Sequence, residues 1–456
     1  MRTGVWVEML AARRGVVFEQ LSAEPFQPAS TIKLVTTAAA MTVLPSDFTY
    51  RTVLARRGDD LLVIGSGDPS IGDPKMAHEA AEAITAVFHR WAQKLKAAGL
   101  TTIRGDLVFD DSCFEQQHLH PRWIEQFKGQ MQSWWAAPVG GLNFNDNCVD
   151  LVIKPGPALG QLAEVTLIPN TSWVKLENHT KTATKGEPLV SRLGTGPITI
   201  SVTGPVSKPN DPDNPLSLTV VDPGAFFAST LRTVLAADDI KINGQTRRER
   251  VRLANGELPP DVQVIAVHET PLADLLWRLN KSSQNLFAEA LFKTIGAHPG
   301  RGRPEQVGGY ETARPVVEEF LKSIGASLEN CVLDDGSGLS HSNRVTPAMM
   351  GAILRFMDHH PHRDRWLASL AEPGEREGTL RKRMRDLRGR VFAKTGHLSG
   401  VSALCGYVLG PHDYRWAFVV LCNDTEKAKG GGANQLQDAL CRTLATWPGE
   451  PVAAGQ

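Results

Sequence analysis

No run in this chain approaches the roughly eighteen consecutive apolar residues that a membrane-spanning helix requires, so no membrane span is expected. An excess of charge of one sign is missing as well. Lys and Arg together number 49, and so do Asp and Glu, which gives no reason to expect nucleic acid or a strongly charged partner. The six cysteines, at 113, 148, 331, 405, 422 and 441, include no Cys-x-x-Cys pair. Metal-ligand spacing is therefore absent. Buried free thiols are the expectation, with a Cys113–Cys148 disulfide as the alternative in an exported protein. No metal and no cofactor is expected. The turn cluster Gly65-Ser66-Gly67-Asp68-Pro69-Ser70 is not followed by Gly-Lys-Ser/Thr, so it does not cradle a phosphate. A Gly-x-Ser-x-Gly elbow is also lacking, which disfavours a Ser-His-Asp hydrolase. No internal repeat is evident. Met1 to Leu10 has no apolar core of signal-peptide length, so either the protein is cytoplasmic or the chain starts after its export signal.

What remains is an ordinary globular composition, 42% apolar and 21% charged over 456 residues, long enough for about three domains. The chain is organised around Pro28-Ala29-Ser30-Thr31-Ile32-Lys33 and the apolar, Ala-rich run to Ala40. Pro28 disfavours helix just before it, and the residues from Thr31 onward suit a helix packed on all sides. Ser30 and Lys33, three apart, share a helix face. A serine hydroxyl becomes a nucleophile when a base lies within hydrogen-bond reach, and a lysine is such a base when burial or a second cation lowers its pKa. The spacing alone is not specific: Ser172-Trp173-Val174-Lys175 has it too, in a strand-rich segment.

Around this stretch the pattern alternates between helices and strands. Val5, Val7 and Met9, then Val16 to Phe18 after an Arg13-Arg14-Gly15 turn, read as a hairpin. Strands are expected at Tyr50–Ala55, Asp60–Ile64, Ile103–Phe109 and Leu142–Ile153, and a helix from about Met76 to Ala98. From Ala163 to Val221 Thr, Val, Pro, Asn and Gly dominate and helical periodicity vanishes, as in a small β module. Lys208–Pro215 reads as a loop. Leu272–Ile295 is helical with a break near Asn280–Ser283; Arg314–Ile324 and Pro347–His359 are helices. His359, His360 and His362 suit a solvated helix C-terminus better than a zinc site. Val391–Lys394, Val401–Leu409 and Trp416–Cys422 are strands, and Gly430-Gly431-Gly432 leads into a last helix, Ala433–Leu444. The adjacent Trp134 and Trp135 read as a core pair or as the wall of a cleft.

Two further triplets bear on Ser30 and Lys33. Ser283-Gln284-Asn285 puts a hydroxyl and an amide between two helical segments. Lys394-Thr395-Gly396 puts a cation, a hydroxyl and a glycine at a strand end. Ser-x-x-Lys, Ser-x-Asn and Lys-Thr-Gly in this order are the known signature of β-lactamases and penicillin-binding proteins. The sequence resembles the D-alanyl-D-alanine carboxypeptidase/endopeptidase family, the class C low-molecular-mass penicillin-binding proteins. The resemblance extends over PASTIKLVTTAAA (28–40), GDLVFDDS (105–112), LNFNDNCVDLVIKPG (142–156), NKSSQNLFAEAL (280–291), DDGSGLSHSNRVTP (334–347), GTLRKR (378–383) and AKTGHLSGVSALCGYV (393–408). The 253 residues from Ser30 to Ser283 match that family, with its inserted domains, better than β-lactamases.

The resemblance implies an α+β fold. Its transpeptidase-like catalytic domain, helices on both faces of an antiparallel sheet, is expected at 1–56 and 258–456, with the Lys394 strand at the sheet edge. An inserted α/β domain is expected at 57–162 and 222–257, and a nested β-rich module at 163–221. By the same resemblance Ser30 forms the acyl-enzyme, and Lys33, kept neutral in part by Lys394, takes its proton. Ser283 passes a proton to the leaving amine and Asn285 holds the substrate amide. Lys394 and Thr395 bind the terminal carboxylate, and Gly396 allows close approach. The backbone N–H groups of Ser30 and His397 form the oxyanion hole. Gln130, Trp135 and His341 line the substrate side-chain site. Partners are peptidoglycan stem peptides and β-lactams, and the location is periplasmic or facing the cell wall.

Three departures bear on selectivity: His397 where the family has a small hydroxyl residue, His341 where it has Arg with Arg344 nearby, and Gln130 where an acid is common. They motivate two alternatives, a catalytically weak peptidoglycan or β-lactam binder, and a β-lactamase or esterase on the same fold.

Overall fold

The structure is a computed structural model that describes residues 1–10, 15–211, 215–253, 255–298, 300, 306–427 and 432–447. Arg13 and Arg14, residues 212–214 of the loop expected at Lys208–Pro215, and Gly430 and Gly431 lie outside the described residues. The chain forms two compact units. One comprises Met1–Phe48, Leu272–Arg303 and Tyr310–Gln456; the other comprises Thr49–Pro271 and Pro304–Gly309.

The first unit joins both ends of the chain in one sheet. Its strands are β1 (Arg2–Met9), β2 (Gly15–Gln20), β3 (Val391–Leu398), β4 (Val401–Leu409) and β5 (Arg415–Asn423). They run antiparallel in the order β3-β4-β5-β1-β2. The C-terminal helix Gly432–Thr446 covers one face, where its Cys441 and Leu444 pack with Val5, Val7, Val391, Ala393, Leu404 and Phe418. Helix Pro347–Asp358 covers the other, where the Tyr407 hydroxyl donates to the Leu354 carbonyl at 2.7 Å. Successive strand residues face opposite sides. With Ala393 on the C-terminal-helix side, Lys394 must point to the other.

On that other side lies α1 (Lys33–Val43), preceded by a 3-10 turn at Ala29–Ile32. Every residue from Lys33 to Met41 is buried, as the Ala-rich, all-round apolar run requires. α2 (Leu272–Asn280) and α3 (Asn285–Ala297) flank the Lys281–Gln284 link, and α4 (Tyr310–Ser323) packs beside α3.

In the second unit, a five-stranded sheet has Thr49–Arg57 paired antiparallel with Gln263–Pro271. Three-stranded sheets form from Leu216–Thr219, Cys148–Lys154 and Glu164–Ile168, and from Leu189–Leu193, Ile198–Val206 and Val174–Thr182. Ser172 to Lys175 therefore leads into a strand, as expected.

Three elements differ from expectation. The helix expected over Met76–Ala98 is two, Pro74–Glu79 and Ala86–Ala97, separated where Ala81 takes φ +53°. The strand expected over Ile103–Phe109 is two, because the Asp106 N–H turns aside to the Asp60 carboxylate at 2.7 Å. The strand expected from Leu142 starts at Cys148. Asn143, Asn145 and Asn147 before it bond side-chain amides to nearby backbone, Asn147 to the Pro138 carbonyl at 2.7 Å, which competes with a sheet ladder. Cys113 and Cys148 are free thiols, as are the other four, so the disulfide alternative does not hold.

Candidate active site

The first unit brings Ser30, Lys33, Ser283, Asn285 and Lys394 together. Ala29, with φ +46°, holds the chain in a left-handed turn that presents Ser30, half-buried, at the start of the helix. Ser283, at φ +60°, is left-handed as well. A non-glycine residue there costs on the order of 1 kcal/mol or more, and such conformations cluster at functional sites.

Lys33 is fully buried. Its Nζ lies 3.0 Å from Ser30 Oγ, 2.7 Å from Asn285 Oδ1 and 2.7 Å from the Ser337 carbonyl. The amide and carbonyl oxygens can only accept. A neutral amine has two N–H groups and one lone pair. With both N–H groups directed at Asn285 and Ser337, the lone pair is left facing the Ser30 hydroxyl. Burial lowers the Lys33 pKa from 10.5 to about 7, against the opposing pull of Glu289 and Asp335. Lys394 is expected to supply part of this effect; burial is its main cause. The repulsion shows on Lys394 instead, whose pKa is held well below its usual value by burial and then by the Lys33 charge.

Lys394 Nζ donates to Ser283 Oγ at 2.8 Å and to the Thr395 carbonyl at 2.8 Å. This links the edge strand β3 to the link between α2 and α3. Gly396 explains how that strand can lie against the Ser30 turn: a Cβ there would come 2.6 Å from the Pro28 carbonyl oxygen and 3.2 Å from Thr31 N. Thr395, half-buried, donates its Oγ1 to Thr379 Oγ1 at 2.7 Å. His397, one residue past the triplet, is exposed.

His341 is half-buried in the Asp334–Arg344 loop. Its carbonyl accepts from Gln27 Nε2 at 2.9 Å and from Arg344 at 2.7 Å, so the Arg344 guanidinium is engaged in holding this loop. Burial and then Arg344 lower the His341 pKa. Gln130 and Trp135 lie in the second unit. Gln130 is exposed, and the Trp135 ring meets Phe127 edge-on at 5.1 Å. His359, at the end of helix Pro347–Asp358, directs Nδ1 to the Arg355 carbonyl at 2.9 Å. Among the described residues no group of three or more His, Cys, Asp or Glu side chains is placed to hold a metal, and no helix is long and apolar enough to cross a membrane.

Sequence reasoning missed Ser337, Thr379 and Glu289. The Ser337 contribution is a backbone carbonyl, which leaves no trace in residue type. Thr379 stood inside the GTLRKR block without a role. Glu289 had a signal: it is the one acid in the largely apolar helix NLFAEALFKTIGA, four residues after Asn285 and so on the same face.

A hydroxyl beside a buried amine, with a second hydroxyl beside a second buried amine, is the arrangement that acyl transfer through an activated serine needs, and it lies on a β-lactamase/penicillin-binding-protein-like fold. A family model described as the D-Ala-D-Ala carboxypeptidase 3 (S13) family matches residues 2–444. A D-alanyl-D-alanine carboxypeptidase of Actinomadura sp. (strain R39) is 34% identical over 95% of this chain and 79% of its own. The crystal structure of penicillin binding protein 4 from Haemophilus influenzae superimposes with TM-score 0.78 at 23% identity, covering 98% of this chain and 97% of that one. Its complex with a β-lactam superimposes with TM-score 0.73 at 22% identity, covering 98% and 96%. The chain belongs to the D-Ala-D-Ala carboxypeptidase 3 (S13) family. The expected fold class and the expected enzyme class, a D-alanyl-D-alanine carboxypeptidase, both stand.

Proposed function

We propose that this chain cleaves the D-Ala-D-Ala bond of peptidoglycan stem peptides, and the corresponding D-amino-acid amide of cross-links, through an ester on Ser30. The observation that carries this reading is the three-way contact of Lys33, which leaves an amine lone pair facing Ser30 Oγ. Ser30 Oγ attacks the scissile carbonyl carbon while its proton passes to Lys33 Nζ. The backbone N–H groups of Ser30 and His397 stabilise the oxyanion. When the C–N bond breaks, the proton that Lys33 received passes through Ser283, which Lys394 orients, to the leaving amine, and Lys33 is neutral again. Asn285 holds the substrate amide, and Lys394 with Thr395 binds the terminal carboxylate. Water, deprotonated by the same base, then attacks the ester; the stem peptide leaves and Ser30 Oγ regains a proton. β-Lactams enter the same site and acylate Ser30.

His341 is proposed to set side-chain selectivity, and the enzyme is proposed to work outside the cytoplasmic membrane, where its substrate lies. Mass spectrometry of the penicillin adduct tests the assignment. The label should sit on the peptide containing Ser30, and D-alanine should be released from a pentapeptide. A label on any other residue refutes Ser30 as nucleophile. Labelling at Ser30 without release of D-alanine favours a binder over a peptidase.

A further inference from the structure

One buried acid has no part in the chemistry described so far. Glu289 lies on α3, one helical turn beyond Asn285, and is fully buried. Its Oε1 accepts from the Ser337 N–H at 2.7 Å and its Oε2 from the Gly336 N–H at 3.1 Å. The carbonyls of those same two residues face α1. The Ser337 carbonyl accepts from Lys33 Nζ, and the Gly336 carbonyl accepts from Thr36 Oγ1, both at 2.7 Å. The carboxylate thus holds the N–H groups of two residues whose carbonyls hold the amine and its helix. The loop has little freedom otherwise. Asp335 takes the N–H groups of Gly338 at 2.7 Å and Ser340 at 2.6 Å. Gly338, at φ +84°, has no room for a Cβ, which would fall 1.9 Å from the Ala29 carbonyl oxygen. The loop therefore touches the Ser30 turn on one side and Glu289 on the other.

We propose that Glu289 is a positioning residue for the Lys33 base: it fixes residues Gly336 and Ser337 so that the Ser337 carbonyl accepts one amine N–H and the lone pair stays aimed at Ser30. The inference rests on the proposed role of Lys33.

Two consequences follow from the charge of Glu289. The groups facing this region are Lys33 on α1, Asp335 on the loop, Lys394 on β3, and Lys293, one turn further along α3, whose ammonium lies 4.7 Å from the Tyr310 ring centre. Glu289 raises the proton affinity of Lys33 and so opposes the effect of burial. Burial and then Asp335 push the Glu289 pKa itself up, to about 8. Replacing it by a neutral amide removes the group that titrates beside Lys33, so the Lys33 limb should become that of a single group. A glutamine also offers one acceptor where two N–H groups need one each.

The test is Glu289→Gln, assayed as the acylation rate constant per penicillin-titratable site between pH 5 and 9, with Lys33→Ala as control. Lys33→Ala checks the underlying reading separately: if it acylates normally, lysine is not the base, whatever Glu289 does. With that control inactive, Glu289→Gln should show two changes. The acylation limb should sharpen to that of a single group, because the partner that titrates near 8 is gone, and the plateau itself should drop, by about tenfold or more. A variant that only loosens the fold would lower the number of titratable sites and the melting temperature while each remaining site kept the wild-type pH profile; that result overturns the proposal. Should Glu289→Gln not fold, infrared spectroscopy of the wild-type enzyme replaces it. The signal of a buried protonated carboxyl should titrate together with the pH limb of acylation, and a carboxyl signal independent of that limb overturns the proposal.

Discussion

If Lys33 is the base, the rate of Ser30 acylation must follow the neutral fraction of its amine. Burial brings its pKa from 10.5 to about 7. About half of the amines are then neutral at pH 7, against about one in three thousand for an unshifted lysine. The sign is fixed by the chemistry. Protonation removes the lone pair, so acylation falls on the acid side and levels off on the alkaline side. From pH 5 to pH 7 the neutral fraction rises about fifty-fold, and the second-order rate constant with a fluorescent penicillin, measured by stopped flow, should rise with it. Glu289, titrating near 8 beside it, makes this a property of the pair, so the limb should be broader than that of a single group. A rate constant flat between pH 5 and 8, or a limb centred near 10, would refute lysine as the base. The first outcome would require a base that is already neutral at pH 5. The second would mean that burial in the folded protein does not depress this amine.

Other perturbations separate the remaining roles. Lys33→Ala should leave the protein folded by circular dichroism and reduce penicillin acylation by about a thousandfold or more. Ser283→Ala removes the hydroxyl that Lys394 holds, and should slow D-alanine release about a hundredfold or more, seen by amino-acid analysis. Gly396→Ala places a methyl 2.6 Å from the Pro28 carbonyl oxygen. It should cost about 1–3 kcal/mol in denaturant unfolding and slow acylation together with stability, because the edge strand must retreat from the Ser30 turn.

The polar part of the site was legible because its chemistry needs particular side chains in a fixed chain order. Ser30, Lys33, Ser283, Asn285 and Lys394 could be named from three triplets, although 111 residues separate Ser283 from Lys394. The sheet was legible through alternation at Val391–Lys394, Val401–Leu409 and Trp416–Cys422, where one face is buried against a helix. Alternation failed over Leu142–Ile153 because asparagine side chains there satisfy the backbone locally. Periodicity failed over Met76–Ala98 because the alanines around Ala81 fit a helix or a turn equally well. The electrostatics were least legible. A triplet shows that Lys33 lies near a second cation; it does not show that Lys33 is fully enclosed, which is the larger effect.

That enclosure also explains why the site is built from backbone as much as from motif. A buried amine needs acceptors for its N–H groups wherever it can find them without adding charge, since a carboxylate in contact would hold it protonated. An amide oxygen from α3 and a carbonyl from the Gly336–Ser337 turn meet that need. Glu289, the acid that pulls most on the Lys33 proton, is kept one peptide away and spends both oxygens on backbone N–H groups. The left-handed Ala29 and the glycines at 338 and 396 then let the loop, the nucleophile turn and the edge strand come close enough to exclude water. Each of these features serves the same requirement: a lysine that is neutral near pH 7 and whose lone pair has one direction to face.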